Sequence, residues 1–234
     1  AVHIGMLGSA KVVRAVAEFL ASGKAGSAKA GSGKAGSGKA GSGKADSGKA
    51  GSPGMLPNVV LDPILKSSSG AELLDAAGTR LLIEKLVPLA DVITPNVDEA
   101  AVLTGLKVTD LDEMRAAAAK LHEMGSAAVV ITGGNLEKAI DLLSFTSRQG
   151  VEEEVFKAER QRSNSTHGTG CAFATAMACH LALGRGLAEA ALLAKTYVSS
   201  AIAAGHPLGH GTSPVHHLYR MNEQRRAAGS GNES

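Results

Sequence analysis

Asn58-Val59-Val60-Leu61-Asp62-Pro63 is an unbroken aliphatic run closed by an acid and a proline. Three large apolar residues in succession leave no face for solvent. The run therefore reads as a strand buried on both sides, the pattern of a parallel sheet, and Pro63 ends it because it has no amide to pair. Asp62 falls just past the carboxyl end of that strand, where open α/β sheets gather their ligands.

Outward from this run, apolar strands alternate with helical patterns. Val2 to Met6, Asp91 to Thr94 and Ala127 to Thr132 read as further strands, and Ala139 to Phe145 with Val151 to Phe156 as a hairpin. Helices are expected over Lys11 to Leu20 behind Ser9, Glu72 to Leu86 after a Ser67 to Gly70 turn, Asn96 to Leu103, and onward from Asp110. Two alanine-rich helices, Cys171 to Leu183 and Leu187 to Ala204, close the pattern. Strands joined by helical crossovers imply a three-layer α/β/α fold with a largely parallel central sheet.

Composition narrows the function. The chain has 234 residues, 44% of them hydrophobic, enough for a sizeable core, but no Trp and only two Tyr and four Phe, too few for a base-stacking nucleic-acid platform. Cys171 and Cys179 lie two turns apart on one expected helix, about 12 Å along its axis, and cannot bridge each other. With no charged leader and no apolar stretch of about 20 residues, the reading is a cytoplasmic chain with no membrane partner. Residues 22–56 are a Gly/Ser/Ala/Lys repeat that reads as a linker. Its Gly-Ser-Gly-Lys units are no P-loop, since Ala follows each lysine where magnesium binding needs Ser or Thr. The repeat holds six lysines against Asp46 alone, so the remainder, with 18 basic and 21 acidic side chains, is slightly acidic and makes no case for nucleic acid.

Four groups should converge beyond the strand ends: Asp62, Asn96 with Glu99, Thr132 with Gly134, and Gly168-Thr169-Gly170-Cys171. The last is a glycine turn feeding a helix, whose first amides have no intrahelical acceptor and can cradle an anion. The same field favours a thiolate at Cys171. Each group also has a plainer reading: Asp62 as a turn residue, Asn96 as a helix cap, Cys171 as a buried thiol. Hard oxygens suit Mg²⁺, and glycine turns let backbone amides approach phosphates. His206, His210, His216 and His217 read as a packed tail, because no Cys or carboxylate completes a ligand set there.

Val59 to Pro63, Ser69-Gly70, Ile93-Thr94-Pro95-Asn96 with Glu99, Val130 to Gly134, and Thr166 to Cys171 occur in the order seen in hydroxymethylpyrimidine/phosphomethylpyrimidine kinases. Ile4-Gly5-Met6-Leu7-Gly8 and Gly209 to His217 are similar to that family as well. The resemblance covers most of residues 1–20 and 57–221 and implies a ribokinase-like fold. By the same resemblance, the activity is transfer of the γ-phosphoryl group of ATP, with Mg²⁺, to a pyrimidine hydroxymethyl group or its monophosphate in thiamine biosynthesis. It implies Cys171 as general base, Gly168, Thr169 and Gly170 as anion hole, and Asn96 and Glu99 placing magnesium, with Asp62 behind them. Thr132 and Gly134 would line the nucleotide phosphates, Met6 would touch the pyrimidine, and the chain would form a homodimer.

The family pattern also has a glycine-rich substrate segment upstream of Ile4 with no counterpart here, which predicts an N-terminally incomplete kinase domain. That domain would comprise residues 1–21 and 57–221, followed by a tail at 222–234. Thr132 and Asn135 stand where relatives often carry Lys and His, so a positive charge beside the phosphates is expected to be missing. A pyridoxal-type kinase and a chain that binds nucleotide without turnover are the alternatives.

Overall fold

Side chains along Val59-Val60-Leu61 point alternately to opposite sides of the sheet, and all three are completely buried, so both faces are covered. The computed structural model describes residues 1–29, 58–67, 69–134, 136, 139–158, 161 and 163–221. Its strands are β1 Val2–Ile4, β2 Val59–Leu61, β3 Val92–Ile93, β4 Ala128–Gly133, β5 Ala139–Ser147 and β6 Gly150–Ala158. They form one sheet in the order β1-β2-β3-β4-β5-β6. Pairing is parallel from β1 to β4 and antiparallel through the β5–β6 hairpin. Three-layer α/β/α architecture follows directly.

One face carries Leu61, Ile93, Val129 and Ile131. It packs against α1 Ala10–Lys29, α2 Ala76–Leu81, α3 Val97–Thr104 and α4 Leu111–Glu123. The other face carries Val60, Val92, Val130 and Leu143 and packs against α5 Thr169–Ala182 and α6 Leu187–Ala203. Alanines at 174, 190, 191 and 194 are fully buried, and their small side chains let these two helices lie close together.

Two boundaries differ from expectation. Helix α1 continues past Leu20 to Lys29, because the Ala and Lys residues at the start of the repeat are good helix formers and extend a helix already nucleated. The rest of the repeat, Asn135 and residues 222–234 lie outside the described residues. Helix α2 starts at Ala76 rather than near Glu72: Glu72 bridges Lys66 in an extended pairing, and Asp75 caps the helix by accepting from Gly78 N at 2.6 Å. A wider turn over Leu82–Leu86 and a 3₁₀ turn over Val87–Leu89 then carry the chain to β3.

Candidate active site

Parallel pairing lines up the carboxyl ends of the strands. Asp62 N donates to Ile4 O at 2.8 Å, Thr94 N to Leu61 O at 2.9 Å and Thr132 N to Pro95 O at 2.9 Å. Asn96 and Thr132 are thereby bridge partners. Asp62, Asn96 and Thr132 thus sit on neighbouring strand ends along one edge, as the spacing requires.

Helix α5 points its first turn at the same edge. Gly168, its N-cap, holds φ +82°, a left-handed conformation that disfavours any side chain, and among the described residues no side chain caps the helix. The first helical bond is Ala172 N to Gly168 O at 2.9 Å, so the amides of Thr169, Gly170 and Cys171 lack intrahelical acceptors. His167 N donates to Ser213 O at 3.0 Å and Val215 N to His167 O at 3.2 Å, pinning the turn from outside. Together these bonds form an anion cradle of fixed shape.

Beside the cradle, Asp62, Glu99 and Cys171 interact electrostatically. Asp62 is 3% exposed, its Oδ2 meets no donor among the described residues, and burial raises its pKa to about 6 despite a hydrogen bond from Cys171. Burial likewise raises Glu99 to about 7, offset in part by the Asn96 amide and raised further by Asp62. The expectation of a thiolate at Cys171 is overturned. Desolvation, then the charge of Asp62 and hydrogen bonding to it, push the thiol up to about 11, so burial together with the nearby carboxylates outweighs the helix field. The site holds a thiol, not a thiolate, at neutral pH.

Asn96 and Glu99 form a complete capping box on α3: Glu99 N donates to Asn96 Oδ1 and Asn96 N to Glu99 Oε2, both at 2.9 Å. Among the described residues no cluster of three His, Cys, Asp or Glu side chains is placed to enclose a metal ion. An orphaned carboxylate oxygen next to a second carboxylate nevertheless fits a hard cation that takes its remaining ligands from water and phosphate, as Mg²⁺ does. In the histidine tail, His206 and His216 pack edge to face at 5.7 Å, and His217 Nδ1 lies 3.1 Å from the Tyr197 hydroxyl.

Two cavities flank α5. One, about 370 Å³, is lined by Thr132, Gly134, Thr169, Gly170, Asp141 and Lys195, among others. The other, about 530 Å³, runs along the outer face of α5 past Cys171, Thr175 and Cys179. Cys171 opens on the second cavity, whereas the cradle residues Thr169 and Gly170 open on the first.

The family profile described as phosphomethylpyrimidine kinase matches residues 52–216. The chain belongs to the phosphomethylpyrimidine kinase family. It is 38% identical over 224 residues to the hydroxymethylpyrimidine/phosphomethylpyrimidine kinase of Streptomyces coelicolor, covering 95% of this chain and 70% of that one. Identity to the thiamine biosynthesis bifunctional protein of Geobacter sulfurreducens is 41% over 169 residues, covering 71% of this chain and 34% of the relative. The chain therefore spans about a third of that longer protein. Among solved structures, an ADP complex of Bacillus subtilis pyridoxal kinase superposes with a TM-score of 0.73 at 30% identity, covering 95% of this chain and 70% of that chain. The ribokinase-like architecture expected from the motifs is the fold observed.

Within this phosphomethylpyrimidine kinase family member, the structure brings Asp62, Glu99, Cys171 and the cradle together and sets Thr132 and Gly134 in the adjoining cavity. Met6, just past the end of β1, is 63% exposed and lines neither of these two cavities. Sequence reasoning missed Asp141 and Lys195. Asp141 Oδ1 accepts from Gly133 N at 3.0 Å, while Lys195 Nζ donates to Asp141 Oδ2 at 2.6 Å. The only signals in the sequence were an acid inside an apolar strand and a lysine just after the apolar stretch Ala190 to Ala194 of α6.

Proposed function

We propose that the chain transfers the γ-phosphoryl group of ATP to the hydroxymethyl group of 4-amino-5-hydroxymethyl-2-methylpyrimidine, or to its monophosphate. The observation that carries this reading is the Cys171 thiol beside the buried Asp62, at the first turn of a helix whose amides are free to hold phosphate oxygens. The acceptor hydroxyl oxygen attacks the γ-phosphorus, the bond to the β,γ-bridging oxygen breaks, and ADP departs. As the hydroxyl proton moves to Cys171 Sγ, the thiol proton moves to Asp62. That carboxyl, at about 6, is largely ionised near neutral pH and free to accept it. Gly168, Thr169 and Gly170 stabilise the charge on the transferring group through backbone amides.

Asn96 and Glu99, with Asp62 behind them, would place Mg²⁺, which would supply positive charge against the nucleotide phosphates. Thr132 and Gly134 line the phosphate side of the nucleotide cavity, and Met6 would approach the pyrimidine from the end of β1. A homodimer belongs to the same reading, and sedimentation tests it.

The test is ATP-dependent turnover of the hydroxymethylpyrimidine and its monophosphate side by side with pyridoxal. Phosphorylation of the pyrimidines supports the proposal, and exclusive use of pyridoxal replaces it with the alternative favoured by the likeness to pyridoxal kinase. Nucleotide binding without turnover of any acceptor points to a binding-only chain.

A further inference from the structure

Resting on this kinase reading, we infer that Lys195 is the cation of the nucleotide site, binding the phosphate chain of the nucleoside triphosphate, with Asp141 as its positioning residue. Lys195 is the sole cationic side chain among the described residues lining the cavity that also holds Thr132, Thr169 and Gly170. Its side chain is 13% exposed, and one of its three ammonium hydrogens goes to Asp141 Oδ2 at 2.6 Å. The other two have no partner among the described residues, a costly state for a nearly buried ammonium unless a ligand supplies oxygens.

Asp141 is itself fixed. It is 5% exposed, and its other oxygen is taken by Gly133 N. Gly133 is required at that spot because a Cβ there would run into the Ile140 carbonyl oxygen. The chain from Gly133 through Asp141 to Lys195 therefore ties the β4–β5 turn to α6 and holds an ammonium in the wall of the cavity that Thr169 and Gly170 also line. Phosphate oxygens in this cavity would meet both the backbone donors of the helix start and a point charge. Thr132 is the cross-strand partner of Asp141 and lines the same cavity, so a cation at either Thr132 or Lys195 would serve the same phosphates.

The test compares binding of ATP and of adenosine to the full chain by calorimetry, in wild type and in Lys195→Gln, with folding checked by circular dichroism. The expected result is ATP binding weakened by about 10- to 100-fold with adenosine changed by less than about twofold. Adding Thr132→Lys to Lys195→Gln restores ATP binding, which a purely structural ion pair would not do. If Lys195→Gln fails to fold, Lys195→Gln/Asp141→Asn, which leaves no buried charge unpaired, carries the same comparison. An unchanged ratio of ATP to adenosine affinity overturns the role of Lys195 alone. Wild type that binds neither ligand overturns the kinase reading beneath it.

Discussion

At the scale of single residues, Cys171 is governed by neighbours that its own segment does not contain. The helix start is legible in Gly168-Thr169-Gly170-Cys171, but burial in the packed fold, with Asp62 and Glu99 arriving from the ends of β2 and α3, reverses the expected ionisation. A thiol at about 11 that shares its proton with Asp62 matters only when the nucleophile must lose one. Cys171→Ala is therefore expected to lower phosphorylation of the hydroxymethyl substrate by about 10²- to 10⁴-fold. Phosphorylation of the monophosphate should fall far less, because its attacking oxygen is already ionised above a pKa of about 6. Initial rates on both acceptors check this, and equal losses would refute the proton relay. Thiol reactivity gives a second measurement. In a Cys179→Ser background, alkylation of Cys171 should rise about tenfold per pH unit from about pH 7 to 9, following the thiolate fraction. Asp62→Asn, by removing the carboxylate that disfavours the thiolate, should speed it at about pH 8.

At the scale of elements, the caps tie site chemistry to helix stability. Asn96 accepts from Glu99 N while Glu99 accepts from Asn96 N, so the plainer reading of Asn96 as a cap holds, and the box orients Glu99 next to Asp62. Asn96→Ala should cost about 1 kcal/mol through the lost cap, and Gly168→Ala about 1–2 kcal/mol through its left-handed backbone. Urea unfolding measures both. Most strands were legible because Val59-Val60-Leu61 and Val129-Val130-Ile131 admit no exposed face, and the hairpin because a short polar turn follows the apolar run Ala139 to Phe145. The start of α2 was not, because Glu72 has ordinary helix propensity and only its tertiary pairing with Lys66 makes it extended. Lys195 and Asp141 were illegible for the same kind of reason: their meeting depends on α6 crossing β5, which no local pattern encodes.

For the whole molecule, the two buried carboxyls set a pH dependence of folding. Asp62 and Glu99 have reference values of 3.8 and 4.5 as in an unfolded chain, and folding raises them to about 6 and about 7. Between the unfolded and folded values the native chain holds more protons than the unfolded one, so the stability from these groups falls as pH rises. The decline starts near pH 4, is steepest at about pH 5 to 6, between the unfolded and folded values of the two groups, and levels off above about pH 7 to 8. Other surface acids contribute to the raw profile, so the informative quantity is the difference between wild type and Asp62→Asn/Glu99→Gln, whose amides do not titrate. Glutamine keeps an oxygen for the Asn96 amide, so the cap survives. Urea unfolding in metal-free buffer should show the variant gaining on wild type steadily from about pH 5 to pH 8. A difference that stays flat would mean that the carboxyls ionise as freely in the folded chain as in the unfolded one. Magnesium should then act in the opposite sense: at about pH 8 it should steady wild type, whose ionised Glu99 with Asp62 behind it can hold the ion, and leave the uncharged variant unmoved.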